Sequence, residues 1–245
     1  MDIGYWNEKA ESYEDEIFNV WCRDRDGVLK RFFRQKKFCN KNVIDCGCGI
    51  GHGLKTLSKH FRSVLAVDIS KQCLSVAQGR YASLTNIKFQ KVDLSQDRLN
   101  LPKMDVAVSV NSIITPNLKT RLKMLKNIRK HLKPNGQLAL VIPSLESYYY
   151  VAYKLTEWNL REGGRVTVSR FQQRPFREGH GVLPIDGVLT KHYLKEELIS
   201  LLQLIGFEVQ EIKKVCYDWD TEYEDPPRWM KAPYPWDWFC VARKK

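Results

Sequence analysis

The chain has 245 residues, of which 43% are hydrophobic, and it carries a formal net charge of +12. That hydrophobic share is enough for a buried core and excludes a wholly disordered chain, and the length suits a single domain over residues 1–245. No basic-then-apolar segment opens the sequence, and no apolar run approaches the ~20 residues that cross a bilayer. We therefore expect a cytoplasmic protein with no membrane partner.

Cysteine usage bears on both disulfides and metals. Seven cysteines are scattered without regular spacing. Cys46 and Cys48 form a C-x-C pair, but no second cysteine or histidine pair stands at the spacing that zinc sites use. Because a reducing compartment disfavours disulfides, we expect free thiols and no metal site.

The middle of the chain alternates short apolar runs with helical periodicity. Buried strands are predicted at Val43–Cys46, Val64–Val67, Ile87–Phe89, Val106–Val110 and Leu138–Ile142. A helix with an apolar face from Leu118 to Leu132 precedes the last of these strands, and the turn at 133–136 is expected to end it. Such repetition predicts an α/β fold with a doubly wound, mostly parallel sheet.

The chain is predicted to have four segments, of which the core is 42–143. An N-terminal helical segment (1–41) precedes the core, and an insert rich in aromatic and arginine residues (144–191) follows it. A C-terminal helix with a strand pair (192–245) ends the chain. The C-terminal helix is expected to stop at Gly206. The last strand pair is predicted at Phe207–Val215 and Trp238–Ala242.

A glycine-rich turn, D-C-G-C-G-I-G-H-G from Asp45, follows the first strand directly. Glycines let the backbone turn tightly and approach a ligand closely, and the amides of the following helix face that ligand. A dinucleotide fingerprint would need its third glycine at His52 or Leu54, and neither position holds one. A phosphate-binding loop would need glycine immediately before Lys55, where leucine stands.

What remains is D-x-G-x-G-x-G after a strand, which resembles motif I of the class I S-adenosylmethionine-dependent methyltransferases. Asp68 at the end of the second strand and Asp93 after the third agree with that family's layout. The resemblance covers residues 42–143 well and 193–243 in layout only. It implies a seven-stranded Rossmann-like sheet with an antiparallel last strand and S-adenosyl-L-methionine as cofactor.

The resemblance also implies which residues bind the cofactor. They are Tyr13, Asp45, Gly47, Gly49, Gly51, Asp68, Ile69, Asp93, Leu94 and Asn111. Asp68 would accept hydrogen bonds from both ribose hydroxyls, because a carboxylate has two oxygens spaced for a vicinal diol. Asp93 would meet the adenine amino group, the Leu94 amide a ring nitrogen, and Ile69 one adenine face.

The methionine end of the cofactor would have its own set of contacts. Asp45 would hold the cationic amino group of the methionine end through its charge, and the Asn111 backbone carbonyl would accept a hydrogen bond from that same methionine amino group. The N-terminal W-x-x-x-A-x-x-Y pattern from Trp6 to Tyr13 is similar to the opening of many small methyltransferases of this class, in which a tyrosine closes over the methionine carboxylate. An equally good interpretation is that these aromatic residues only fix the helix to the core.

The acceptor is less well indicated. No sequence motif identifies a general base. His180 and His192, in or beside the insert, are the candidates. N-P-P-Y and Pro-Cys motifs are absent after the fourth strand, which argues against methylation of nucleobase amino groups and of cytosine C5. The tyrosines and arginines of the insert, among them Arg165, Arg170, Arg174 and Arg177, predict a lid over an anionic or aromatic acceptor.

These observations favour methyl transfer to an oxygen or nitrogen of a small molecule. RNA is the alternative acceptor, because the net charge is strongly positive. Protein methylation and a non-catalytic interaction protein that retains the cofactor fold also stay open. The sequence leaves the acceptor, the acceptor atom and the oligomeric state undetermined.

Overall fold

The computed structural model describes residues 3–163, 181–185 and 187–245, and its centre is a seven-stranded sheet. The strands of the described residues are β1 Asn42–Cys46, β2 Ser63–Asp68, β3 Ile87–Lys91, β4 Met104–Val110, β5 Leu132–Pro143, β6 Val182–Ile185, β7 Val188–Lys191, β8 Phe207–Cys216 and β9 Trp236–Lys244. Of these, β6 and β7 form a separate two-stranded hairpin. The sheet order is β3-β2-β1-β4-β5-β9-β8, in which β9 runs antiparallel to both neighbours and the other pairs are parallel. This order confirms the predicted fold class.

Helices cover both faces of the sheet. Those of the described residues are α1 Ile3–Glu8, α2 Tyr13–Glu16, α3 Val20–Arg23, α4 Val28–Phe33, α5 Leu54–His60, α6 Lys71–Arg80, α7 Leu118–His131, α8 Leu145–Arg161 and α9 Lys195–Ile205. The Asn117 side chain caps α7 by accepting from the Thr120 amide (3.0 Å). α9 stops where predicted, because Gly206 adopts the left-handed conformation at φ 93°.

Two hydrophobic layers hold these helices on the sheet. On one face α4 and the 3₁₀ turn Lys36–Phe38 bring Phe32, Phe33 and Phe38 against β9, with Phe32 and Phe239 ring centroids 5.1 Å apart. On the other face α7 and α9 pack apolar side chains, among them Leu125, against the sheet. Burial on both faces explains why the strands read as nearly continuous apolar runs.

The junction between α7 and β5 differs from the prediction. A turn over 133–136 was expected to separate helix and strand, but β5 begins at Leu132, directly after His131. Asn135 adopts a left-handed conformation (φ 58°), and the pairing register with β4 shifts between Met104 and Val106. In the parallel pairing of β4 and β5, Leu132 already pairs with Met104 and Gln137 pairs with Val106, so the residues expected to form a turn form a bulge within β5 instead.

The segment after β5 also differs from what the pattern indicated. It begins with α8, a helix of 17 residues. Ser144 caps that helix through a hydrogen bond from the Ser147 amide to Ser144 Oγ (3.0 Å). The hairpin β6–β7 follows and docks on the loop after β4, where the Lys191 amide donates to the Ile114 carbonyl (2.8 Å). The division of the chain into four segments stays a prediction.

Candidate active site

The glycine-rich loop between β1 and α5 depends on left-handed backbone. Gly47, Gly49 and Gly51 have φ of 76°, 54° and 92°, a region that other residues rarely adopt. Space is equally restrictive. A Cβ at Gly47 would lie 2.4 Å from Ser112 Cβ, and a Cβ at Gly49 would lie 2.4 Å from the Tyr13 hydroxyl oxygen. The loop is therefore fixed between the loop after β4 and the N-terminal segment.

Asp68, the last residue of β2, ties the second strand to this loop. Its Oδ2 accepts from the Gly49 amide and its Oδ1 from the Ser70 amide, both at 2.8 Å. Burial raises the pKa of Asp68, although hydrogen bonds from the Ser70, Gly49 and Ile69 amides act in the opposite direction. A carboxylate has about four lone-pair directions, so Asp68 retains capacity to accept further hydrogen bonds from a ligand.

Asp45, in β1 beneath the same loop, is a carboxyl group that makes no ion pair with a cationic side chain among the described residues. It is 4% exposed. Burial and the nearby Asp68 carboxylate raise its pKa to about 7, and both act in the same direction. A cationic group bound at this edge would favour the ionised form of both residues, so the edge is suited electrostatically to a positively charged ligand.

Asp93 and Leu94 lie at the end of β3, on the same edge. Asp93 Oδ1 accepts from the Ser95 amide (2.8 Å) and Oδ2 from Gln96 Nε2 (2.7 Å). Burial raises the pKa of Asp93, but the hydrogen bonds from Gln96 and Ser95 outweigh it and the net shift is downward. The Leu94 carbonyl accepts from Asn127 Nδ2 (2.8 Å), which fixes this turn to α7.

Tyr13 opens α2 and lies over the glycine loop. Its hydroxyl is the group that a Cβ at Gly49 would strike. Its ring centroid is 6.4 Å from that of Trp6 and 5.6 Å from that of His52. Burial and the Asp68 carboxylate raise the Tyr13 pKa far above its usual value. The structure thus brings Tyr13 to the predicted site, while its binding role stays a prediction.

Polar contacts hold the N-terminal segment in this position. Glu14 accepts from Arg80 Nη1 on α6 (2.5 Å) and pairs with His52 Nε2 of the glycine loop (3.0 Å). Ser70 Oγ donates to Asn7 Oδ1 (2.8 Å). These contacts link residues far apart in the sequence, and no local motif indicated them.

Asn111, just past β4, belongs to a buried polar network that the sequence interpretation missed. Asn111 Nδ2 donates to Asp237 Oδ2 (3.0 Å), and the Tyr217 hydroxyl donates to the same oxygen (2.8 Å). Burial raises the pKa of Asp237, and hydrogen bonds from Asn111, Tyr217 and the Ser144 amide oppose this. The available signal was an acidic residue in an otherwise apolar strand, W-D-W-F-C-V-A.

The two histidine candidates have different outcomes. His180 lies outside the described residues, as do Arg165, Arg170, Arg174 and Arg177. His192 follows β7 and is buried, with its ring centroid 5.6 Å from that of Tyr148. Burial lowers the pKa of His192 to about 4, so its imidazole is neutral at pH 7.

Aromatic residues of α8 and of the loop between β8 and β9 pack against one another. Tyr150 lies with its ring centroid 5.9 Å from Trp219 and 6.1 Å from Trp236. Trp219 stacks on Tyr223 (5.8 Å, 11° between ring planes), and the Tyr223 hydroxyl donates to the Val151 carbonyl. These rings, among them Tyr150 of the insert that was predicted to form a lid, therefore hold the two segments together.

A second charged surface, here called the basic edge, lies where the parallel strands begin. Its residues are Lys37, Lys41, Lys103, Lys130, Lys133 and Lys244. Lys37, Lys41 and Lys133 line a cavity of about 260 Å³ together with Asp105, whose Oδ1 is 2.9 Å from Lys133 Nζ. Because β4 has seven residues, roughly 20 Å of strand separates the basic edge from the glycine loop.

Comparison with known proteins agrees with this arrangement. A family model described as "Methyltransferase domain" matches residues 43–136, which include the glycine loop, Asp68 and Asp93. The mitochondrial ubiquinone biosynthesis O-methyltransferase of Schizosaccharomyces pombe is 23% identical over 227 residues, which cover 89% of this chain and 75% of that protein.

Two further similarities extend this result. A probable S-adenosylmethionine-dependent methyltransferase of Mycolicibacterium smegmatis is 22% identical over 193 residues, so that 79% of this chain spans 61% of that protein. The solved DhpI-SAM-HEP complex has a TM-score of 0.67 at 16% identity and covers 98% of this chain and 94% of its own. At that identity the likeness is one of fold.

Two findings concern membranes and metals. Among the residues that the structure describes, none of the helices combines the length and the apolar character that crossing a bilayer requires. Residues 3–163, 181–185 and 187–245 also contain no group of three or more histidine, cysteine, aspartate or glutamate side chains placed to hold a metal ion.

Proposed function

The chain belongs to the class I S-adenosylmethionine-dependent methyltransferases, and from that premise we propose that it methylates an oxygen or nitrogen atom of a small molecule. One observation carries this proposal: the carboxyl edge of the sheet brings together a glycine loop and two buried carboxyl groups that have no cationic partner among the described residues. Asp45 and Asp68 meet at this loop. A ligand with a cationic end and a diol satisfies both groups.

The residues present fit the cofactor. We assign the ribose hydroxyls to Asp68, the adenine to Asp93, Leu94 and Ile69, and the cationic methionine end to Asp45. The Asn111 carbonyl and Tyr13 complete the methionine site in this proposal. The left-handed Gly47, Gly49 and Gly51 support it, because a Cβ at any of them would strike a neighbouring side chain and displace the tight loop that these residues form.

The chemistry divides between cofactor and protein. The bound cofactor supplies a methyl group on a cationic sulfonium, which is already activated for transfer. The protein has to orient the acceptor nucleophile, and orientation of this kind contributes on the order of 7–11 kcal/mol. The aromatic packing of Tyr150, Trp219 and Trp236 beside this edge favours a site from which water is excluded.

We propose that His192 does not take the acceptor proton. An effective general base has a pKa near the working pH, and burial holds the pKa of His192 near 4. Its contact with Tyr148 supports a structural role in docking the β6–β7 hairpin. His180 stays an untested candidate for the base.

The acceptor assignment rests on the surroundings of the edge. The name of the fission yeast relative, an O-methyltransferase, supports an oxygen acceptor. The basic edge favours RNA less than the net charge suggested, because its lysines lie at the opposite end of the strands. RNA therefore remains the second candidate, and a non-catalytic interaction protein the third.

Two measurements test the proposal. Calorimetric titration with S-adenosylmethionine and with S-adenosylhomocysteine should give one site per chain. Methyl-tritiated S-adenosylmethionine should then label phenols, catechols or amines in a panel that also contains RNA and protein. Label in RNA alone would establish the alternative, binding with no label in any acceptor would favour the interaction protein, and no binding of either ligand would overturn the cofactor assignment.

A further inference from the structure

An unsatisfied oxygen marks a further point of recognition at the carboxyl edge. The side-chain oxygen Oδ1 of Asn111 is buried and has no hydrogen-bond partner among the described residues. Asn111 also holds a left-handed backbone conformation, with φ 48°. Buried polar atoms are nearly always paired in folded proteins, so an unpaired oxygen of this kind indicates a partner that the described residues do not supply.

The position of Asn111 connects this oxygen with the glycine loop. The next residue, Ser112, donates from its hydroxyl to the Cys46 carbonyl (2.8 Å). The Ser112 Cβ is also the atom that a Cβ at Gly47 would strike at 2.4 Å. Asn111 is therefore next to the loop that we assign to the methionine end of the cofactor, on the side toward β5 and β9.

The hydrogen bond from its Nδ2 to Asp237 fixes the orientation of the Asn111 side-chain amide. Its Nδ2 donates to Asp237 Oδ2, and Asp237 also accepts from the Tyr217 hydroxyl and the Ser144 amide. Because every other partner of Asp237 is a donor, the carboxylate serves as acceptor and draws the NH₂ side of the amide toward itself. The amide oxygen is thereby turned away from Asp237.

We propose that Asn111 Oδ1 receives a hydrogen bond from an N–H or O–H group at the methyl-transfer point, and that Asp237 is the positioning residue that holds Asn111 for it. This inference rests on the proposed function and narrows it. The nucleophile arrives protonated, as a hydroxyl or an amine, because a deprotonated carboxylate or phosphate oxygen would meet another acceptor. The hydrogen bond holds the proton of the nucleophile toward Asn111 and leaves a lone pair free to face the methyl group. On transfer the cofactor sulfur would keep the electrons of the broken bond, and the methylated acceptor would release its proton to water, because an amide oxygen is too weak a base to take it.

A cofactor analogue provides the probe. Sinefungin carries an amino-bearing carbon in place of the sulfonium sulfur and its methyl group, so it places N–H donors at the methyl-transfer point. S-adenosylhomocysteine has no group there and is otherwise alike. The ratio of the two dissociation constants therefore isolates this one point from the rest of the cofactor site.

The variants follow from the backbone. Asn111→Gly removes only the side-chain amide, keeps the backbone carbonyl that we assign to the methionine end of the cofactor, and tolerates the left-handed conformation. Asn135→Gly is its matched control, because Asn135 is also left-handed (φ 58°) but borders the basic edge. Asp237→Asn keeps the shape of the positioning residue and lets its new NH₂ group occupy Asn111 Oδ1. Thermal melting checks the fold of each.

We expect Asn111→Gly to weaken sinefungin at least tenfold and S-adenosylhomocysteine less than twofold. Asp237→Asn should lower the same preference three- to tenfold, and Asn135→Gly should change neither affinity. Equal loss of both ligands would overturn the inference, since Oδ1 would then serve the fold or the rest of the cofactor. An unchanged ratio in Asn111→Gly would also overturn it. Failure of the unmodified protein to bind either ligand would instead overturn the proposed function on which it rests.

Discussion

The two ends of the central sheet treat the same side chain in opposite ways. At the carboxyl edge, burial and a neighbouring carboxylate raise the pKa of Asp45 to about 7. At the amino edge, burial alone would raise the pKa of Asp105, but the Asn42 amide and the Lys133 ammonium lower it overall. Within the part of the chain that the structure describes, Asp105 has a cationic partner in Lys133 and Asp45 has none.

This difference separates a structural ion pair from a ligand site. Asp105 already has a cationic partner in Lys133, and such a partly exposed ion pair contributes only about 0–1 kcal/mol to stability. Asp45 is buried and has no cationic partner among the described residues, so its ionisation is unfavourable until a cation binds. Perturbed carboxylates of that kind concentrate at functional sites. The following predictions test whether the carboxyl edge behaves as that argument requires.

The largest effect is expected from Gly49→Val. Its Cβ would lie 2.4 Å from the Tyr13 hydroxyl oxygen, and φ of 54° is strained for a branched residue. We expect more than a hundredfold loss of S-adenosylmethionine affinity in calorimetry, with the fold largely intact. Gly79→Val is the control, because a Cβ at Gly79 meets nothing within 4 Å. Normal cofactor binding by a folded Gly49→Val protein would place the cofactor elsewhere.

Asp68→Ala should have the next largest effect. It removes the proposed ribose contacts and also the acceptor for the Gly49 amide. We expect at least a tenfold rise in the dissociation constant, equivalent to about 1.4 kcal/mol. Asp97→Ala is the control, because the Asp97 side chain is 90% exposed and pairs only with Lys123 among the described residues. Equal affinities of the two variants would remove Asp68 from the site.

The site residues that lie in or just after predicted strands could be predicted from the sequence. Asp45, Asp68 and Asp93 lie in or just after consecutive parallel strands, and such strands present their carboxyl ends at one edge. Hydrophobic periodicity likewise identified α7 and the stop of α9 at Gly206. These features depend only on residues close together in the chain.

The rest depends on contacts between distant residues. Asn111 and Asp237 are 126 positions apart, and Glu14 and His52 are 38 apart. No spacing rule relates such pairs, because the fold alone brings them together. The helix α8 was missed for a different reason: the Y-Y-Y run suggested a lid, although helical spacing places Val151 and Lys154 on its buried side.

The third prediction concerns pH and uses Asp45 directly. Below pH 7 Asp45 binds a proton in the free protein, and a bound cation must displace it. Cofactor affinity should therefore fall roughly five- to tenfold as pH falls from 7.5 to 6. The titratable groups around Asp45 are Asp68, Cys46, Cys48 and Tyr13. Asp45→Asn should bind more weakly at pH 7.5 and lose most of this dependence.

Asp45→Asn should also change the stability of the free protein, and in the favourable direction, although it weakens cofactor binding. The raised pKa of Asp45 stabilises the free protein at low pH, and this stabilisation is lost as pH rises toward 7. At pH 8 Asp45→Asn should thus raise the melting temperature, by about 2–4 °C for ~1 kcal/mol. Asp105→Asn should lower it, because the lowered pKa of Asp105 stabilises above pH 4. Shifts of the same sign in both variants would contradict the comparison of the two edges.

The smallest effect is expected from Glu14→Gln, which tests the contacts that hold Tyr13 over the loop. Glu14 pairs with His52 and Arg80, but its side chain is 50% exposed, and such pairs contribute at most about 1 kcal/mol. Cofactor dissociation should therefore accelerate only two- to fivefold in stopped flow, and less at high salt, where exposed pairs are screened. Glu16→Gln is the matched control, because Glu16 lies on the same short helix and pairs with Lys9 instead. An equal change in both variants would mean that the helix as a whole, and not the contact to the glycine loop, controls release. A change in Glu14→Gln alone would show that an exposed ion pair controls access to a buried site.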